Sequence, residues 1–210
     1  MSKQLIIAID GPSGVGKGTL AKALSKKLHL PYLDTGLLYR AVGRKMLDMG
    51  LSPDDEELVR QAQNLTEADW NRNDLRVSEV DKAASLVAAR PKIRAALLDM
   101  QRHFATTQGV VMDGRDIGTV ILPNADVKLF ITASTYVRAK RRWLQYTNDV
   151  DAIDKDEQIK QVEKELEARD LADSSRAVAP LRPAEDAKII NTDHLSADAV
   201  LQEALRLIGV

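Results

Sequence analysis

The apolar run Leu5–Ile9 is closed by Asp10 and followed at once by GPSGVGKGTL, Gly11–Leu20, and then by a helical pattern. This succession of strand, glycine loop and helix constrains the chain more than any other feature. Branched apolar residues without polar alternation suit a strand buried on both faces, as in a parallel sheet covered by helices. Leu20, Ala23, Leu24 and Leu28 recur on one face of the helix predicted for Thr19–Leu28. The loop between them nearly matches G-x-x-x-x-G-K-[ST], in which backbone N–H groups and the helix N-terminus surround a β-phosphate while the lysine, here Lys17, reaches the β and γ oxygens. Gly11, Gly14 and Gly16 permit the close backbone approach that a Cβ would obstruct. One position departs from the pattern: Gly18 fills the hydroxyl slot and Thr19 comes one place late. Glycine offers Mg²⁺ no ligand, so the metal is expected to rest on nucleotide phosphates and water.

Similar apolar runs recur at Pro31–Leu33, Val110–Met112, Val127–Ile131 and Lys188–Ile190, each leading into a helical pattern directly or through a polar turn. Alternating strand and helix predicts an α/β fold, a three-layer α/β/α sandwich around a five-stranded parallel sheet of the P-loop NTPase type. Two stretches interrupt the alternation. Residues 36–105 are almost wholly helical in pattern, apart from the polar patch EADWNRNDLR at 67–76, and residues 134–176 form a second helical insertion containing VRAKRRW. The expectation is a single domain over residues 1–210. Its core comprises about 1–35, 106–133 and 177–210, with helical insertions at about 36–105 and about 134–176 that are candidates for moving parts.

Thirty basic and 31 acidic residues nearly cancel, so no overall field recruits nucleic acid or an anionic membrane, and an anionic ligand must be held by local charge. The absence of cysteine excludes a disulfide scaffold, a thiolate metal site and a cysteine nucleophile. LIIAI is too short for a signal-peptide core or a membrane span. A soluble, cytoplasmic protein is expected, and a monomer.

The G-K-G-T loop resembles that of nucleoside monophosphate kinases of the adenylate kinase type, whose second substrate is itself a phosphate. An anionic acceptor needs no strong base; it needs arginines that hold two polyanions in line. Arginines are placed accordingly in LDTGLLYR (33–40), SLVAARPKIR (85–94), VVMDGRDIGT (110–119) and RDLADSSRAVAPLRP (169–183). In this order, D-T-G-x-x-Y-R, D-G-R-D-x-G-T and R-x-V-A-P-L closely resemble the bacterial cytidylate kinase (CMP/dCMP kinase) family over almost the whole chain.

That resemblance implies transfer of the ATP γ-phosphoryl group to CMP or dCMP, with Mg²⁺ carried by ATP, and makes the insertion at about 36–105 a monophosphate-binding arm and that at about 134–176 a lid. Gly11, Pro12, Ser13, Gly14, Val15, Gly16, Lys17, Gly18 and Thr19 are expected at ATP. Thr35, Tyr39, Arg40, Ser85, Arg94, Arg115, Asp116, Arg169, Asp173 and Arg176 are expected at CMP, and Lys17, Arg115 and Arg176 in catalysis.

Several of these assignments have independent reasons. Asp113 ends an apolar strand where a carboxylate orders the metal's waters, so no side chain is expected to bind the metal directly. An aspartate accepting from the cytosine amino group is the natural pairing, which suits Asp116. Pro91 breaks the helix between Ser85 and Arg94, so both are able to turn inward. Ile159, Val162 and Leu166 mark a helical stripe that continues into Arg169, Asp173 and Arg176, an apolar seam entering a ligand site. Of Arg138, Arg141 and Arg142, one or two are expected to meet ATP. Many bacterial members carry a strand-bearing elaboration where this chain has only the short polar interval Asn64–Val77, so a smaller arm is expected and the reach of Arg76 is open. Within the kinases, a UMP/CMP kinase is the alternative; a nucleotide-dependent switch is disfavoured because NTDH at 191–194 matches the guanine signature N-K-x-D poorly.

Overall fold

The computed structural model describes residues 5–106, 109–147 and 153–210. Residues 107–108 of the expected core and 148–152 of the expected lid therefore lie outside the described residues, as do residues 1–4. Strand β1 (Ile6–Asp10) leads through the glycine loop into α1 (Lys17–Leu28), and β2 (Tyr32–Asp34) runs directly into α2 (Thr35–Asp48). The arm continues with α3 (Glu56–Gln63), α4 (Glu67–Trp70), a 3₁₀ turn at Asn73–Leu75, α5 (Ser78–Ala88) and α6 (Pro91–Thr106). Strand β3 (Val110–Asp113) is followed by a π-helical turn at Ile117–Ile121 and β4 (Val127–Thr132). Next come α7 (Thr135–Tyr146), α8 (Lys155–Ser174), β5 (Lys188–Asn191) and α9 (Ala197–Ile208).

The five strands pair in the order β2-β3-β1-β4-β5, every pair parallel. Each predicted strand is present within about one residue of its expected bounds, because a continuous apolar run leaves little choice of register. Side chains alternate across the sheet. Ile7 and Ile9 pack with Leu20, Leu24, Val200 and Leu205 under α1 and α9, whereas Ala8, Val110 and Met112 face Leu38, Val42 and Val87 of the arm. A third, smaller cluster joins α7 to α8 through Ala139, Trp143, Ile159 and Leu166. It gives the insertion after β4 an apolar core of its own.

The polar patch at 67–76 folds as one helical turn and the 3₁₀ turn, without a strand. Thr66 and Asp69 close a capping box there, with the Thr66 N–H donating to Asp69 Oδ2 at 2.8 Å. Pro91 opens α6 at its first helical position, where its missing N–H costs nothing, so α5 and α6 meet at the break predicted between Ser85 and Arg94. No helix among the described residues is long and apolar enough to cross a membrane.

Candidate functional site

The carboxyl ends of β1, β2 and β3 lie side by side, and the residues after each strand open onto one cavity of about 660 Å³. Ligands gather at this edge of open α/β sheets. Ser13–Leu20 line one end of the cavity; Gly11 and Pro12 do not. Gly11 instead crosses β4 so closely that a Cβ would sit 2.2 Å from the Ile131 carbonyl oxygen. Gly16, at φ 93°, adopts the left-handed conformation that starts α1.

Lys17 is buried and donates from Nζ to the Pro12 carbonyl at 2.7 Å. Burial and the charge of Arg115 pull its pKa below the ordinary lysine value. The Gly18 slot is backed by two groups: a Cβ there would lie 3.6 Å from Tyr32 Oη and 3.9 Å from Asp113 Oδ2. Tyr32 donates its hydroxyl to Asp113 Oδ1 at 3.0 Å. Burial and the neighbouring Asp34 push the Asp113 pKa upward. Thr35 is also buried here, donating its hydroxyl to the Asp113 carbonyl at 2.8 Å, so it fastens the loop after β3 to the start of α2. Asp10, the last residue of β1, accepts from the backbone N–H groups of Ile117 and Gly118, both at 2.8 Å.

At the other end of the cavity, aspartates and arginines have paired with one another. Arg94 donates to Asp116 and to the Ala88 carbonyl, with its guanidinium 5.6 Å over the ring of Tyr39. Burial raises the pKa of Asp116 against the pull of Arg94. Asp173 accepts from Arg115 Nε at 2.8 Å and from Arg176, and although burial acts to raise its pKa, the two guanidinium charges hold it low. Asp81 gathers Arg40 at 2.8 Å, Arg142 at 2.8 Å and Arg169 at 3.8 Å. Burial and the charge of Arg115 lower the Arg169 pKa to about 10. Arg76 reaches Asp34 at 2.9 Å. Ser85 turns its hydroxyl back to the Asp81 carbonyl at 3.2 Å while still lining the cavity.

Every residue expected at the acceptor thus reaches this one cavity: Thr35, Tyr39, Arg40, Ser85, Arg94, Arg115, Asp116, Arg169, Asp173 and Arg176. The three arginines of α7 divide. Arg138 does not line the cavity; buried, it donates to Ser13 and Ala133 carbonyls, each at 3.1 Å, and pairs with Asp170 at 2.6 Å, bracing the glycine loop against α8. Arg141 donates to Thr192 on the loop after β5, on the glycine-loop side, while Arg142 points to Asp81. Asp81, Tyr32 and Thr192 also line the cavity although none was expected there, and so does Asp34, the aspartate of the D-T-G motif. A signal existed for two of them. Asp81 precedes Ser85 by one helical turn, and Tyr32 shares a strand face with Asp34.

A strand–glycine loop–helix that buries its lysine, facing arginines across a shared cavity, defines a P-loop phosphotransferase. Solved structures agree at the level of fold: an uncharacterized protein from Eubacterium ventriosum (TM-score 0.56, 15% identity, 98% of each chain covered) and a gluconokinase from Sinorhizobium meliloti (TM-score 0.52, 14% identity, 98% of this chain and 91% of that one). The cytidylate kinase family profile matches residues 7–209. The cytidylate kinase of Granulibacter bethesdensis is 52% identical over 98% of this chain and 97% of its own length, and that of Acidiphilium cryptum 51% identical over 100% and 97%. The chain belongs to the cytidylate kinase family.

Proposed function

We propose that the chain transfers the γ-phosphoryl group of ATP to CMP or dCMP, giving ADP and CDP or dCDP. The observation that carries this reading is the cavity itself, where the glycine loop with Lys17 faces Arg40, Arg115, Arg169 and Arg176, and the Arg94–Asp116 pair closes the far end. The backbone of residues 13–19 and Lys17 hold the ATP phosphates, with Gly11 and Pro12 shaping the loop from outside the cavity, and Arg141, which donates to Thr192, meets the ATP. Arg40, Arg115 and Arg176 receive the acceptor phosphate. Arg169 and Asp173 meet the ribose, Tyr39 offers a face to the base, and Ser85, Arg94 and Asp116 read its edge.

Asp116 accepts from the cytosine amino group once Arg94 turns toward the ring acceptors. Because the acceptor is already an anion, Lys17, Arg115 and Arg176 serve by neutralising charge on the transferring group and keeping water out, and no base is required.

No cluster of three metal-ligating side chains exists among the described residues, and Gly18 leaves the loop without its hydroxyl. Buried Asp113 beside Gly18 fits a metal carried by nucleotide and water, held through that carboxylate at one remove. Mg²⁺ bound with ATP would neutralise phosphate charge there. A monomer acting in the cytoplasm, where these nucleotide substrates are found, completes the reading. A coupled ADP-release assay across CMP, dCMP, UMP, AMP and GMP tests the reading. Preference for CMP or dCMP is expected, and equal or better turnover of another acceptor refutes it.

A further inference from the structure

Asp81 lies outside every motif quoted above, yet its carboxylate draws guanidinium groups from three helices. Arg40 of α2 presents both Nε and Nη2 to Oδ1, each at 2.8 Å. Arg142 of α7 donates Nη2 to Oδ2 at 2.8 Å, and Arg169 of α8 brings Nη1 within 3.8 Å of the same oxygen. Asp81 itself belongs to α5, so one anion joins two helices of the arm to two of the insertion after β4. Its side chain is 12% exposed. Three cations this close would spread apart without it.

The grip on these arginines is partial. A guanidinium carries five N–H donors. Asp81 takes one edge of Arg40 and leaves Nη1 directed toward the start of α2, 2.9 Å from where a Gly36 Cβ would be. Nε of Arg169 is buried without a hydrogen-bond partner among the described residues. Donors therefore remain for an incoming anion while the groups that carry them are held.

We propose that Asp81 is a positioning residue for the acceptor, holding Arg40 for its phosphate and Arg169 for its ribose while Arg142 braces the carboxylate from α7, so that a phosphate dianion meets Arg40 donors already aimed. This rests on the reading that the acceptor is a nucleoside monophosphate. Preorganised donors improve affinity for the group they face and leave the other substrate alone.

Asp81→Asn keeps the shape and removes the charge. It is expected to raise KM for CMP about tenfold, the effect of losing one well-aimed charged hydrogen bond, with KM for ATP changed less than about twofold. Asp81→Glu should recover part of the loss. Calorimetric binding of CMP and of cytidine, which lacks the phosphate, separates positioning from general damage: CMP weakens in Asp81→Asn by more than cytidine does, because cytidine keeps only the Arg169 contact. Equal weakening of both, unchanged CMP binding, or tighter CMP binding overturns the proposal, the last because Asp81 would then be competing with the phosphate. If the wild-type protein prefers another monophosphate, the functional reading falls, and the same comparison run with that monophosphate and its nucleoside still decides the role of Asp81.

Discussion

Replacing Asp116 with alanine tests the closed end of the cavity directly. The Arg94 and Asp116 side chains are only 7% and 6% exposed. Removing the carboxylate strands a guanidinium whose remaining partners are the Ala88 carbonyl at 3.2 Å and the Tyr39 ring at 5.6 Å. Breaking a buried pair from one side costs about 3–5 kcal/mol, and these surviving contacts favour the lower figure. In a chain of this length each kcal/mol moves the melting temperature by about 2–4 °C, so Asp116→Ala should melt about 6–12 °C lower. Removing both partners is nearly neutral in such cases, so Asp116→Ala/Arg94→Met should recover most of the loss. Thermal and urea unfolding of the four proteins, without nucleotide, completes the cycle. A single variant within about 1 kcal/mol of wild type, or a double variant as unstable as the two singles summed, refutes the reasoning.

Two further outcomes follow from the glycine loop and its support. Burial raises the Asp10 pKa from 3.8 to about 6, so the native state binds that proton more tightly than the unfolded chain. The resulting stability is fully present below pH 3.8 and is lost as pH rises through about 6. The loss amounts to about 3 kcal/mol, and Asp10→Asn should flatten the pH profile of the urea midpoint over this window; an unchanged slope counts against it. Gly18→Ser meets only ordinary contacts, 3.6 Å to Tyr32 Oη and 3.9 Å to Asp113 Oδ2, and replaces a helical glycine. It should fold with stability equal to wild type or about 0.5 kcal/mol greater, and a clear fall in melting temperature would show that Tyr32 and Asp113 cannot share the space.

The strands were legible because each is an unbroken apolar run whose burial on two faces admits one structure. Pro91 likewise announced the break between α5 and α6. The order β2-β3-β1-β4-β5 was not legible, since nothing local says which runs become neighbours. The same limit separates the two parts of the site. Its membership was readable from motifs, and Arg169 and Asp173 from the continuation of an apolar stripe; α8 ends at Ser174, so the helical spacing does not extend to Arg176 as expected. Its internal pairing was not, because Arg94–Asp116, Arg115–Asp173 and Arg142–Asp81 join residues 22 to 61 positions apart. Asp81 is illegible for a related reason: within SEVDK it reads as one more solvated charge in the first turn of a helix. Only the fold brings α2, α7 and α8 to it.

Asp10 has a consequence for the geometry of transfer. It sits where β1 becomes the glycine loop and holds the main chain just after Asp116, on the loop that leaves β3. Those two strands are hydrogen-bonded neighbours, about 4.8 Å apart by the nature of a sheet. The footings of the glycine loop and of the loop after β3 are therefore ruled off by main-chain spacing rather than by side chains. Whatever packs over the cavity, the gauge between the two loops that open onto it is cast into the sheet.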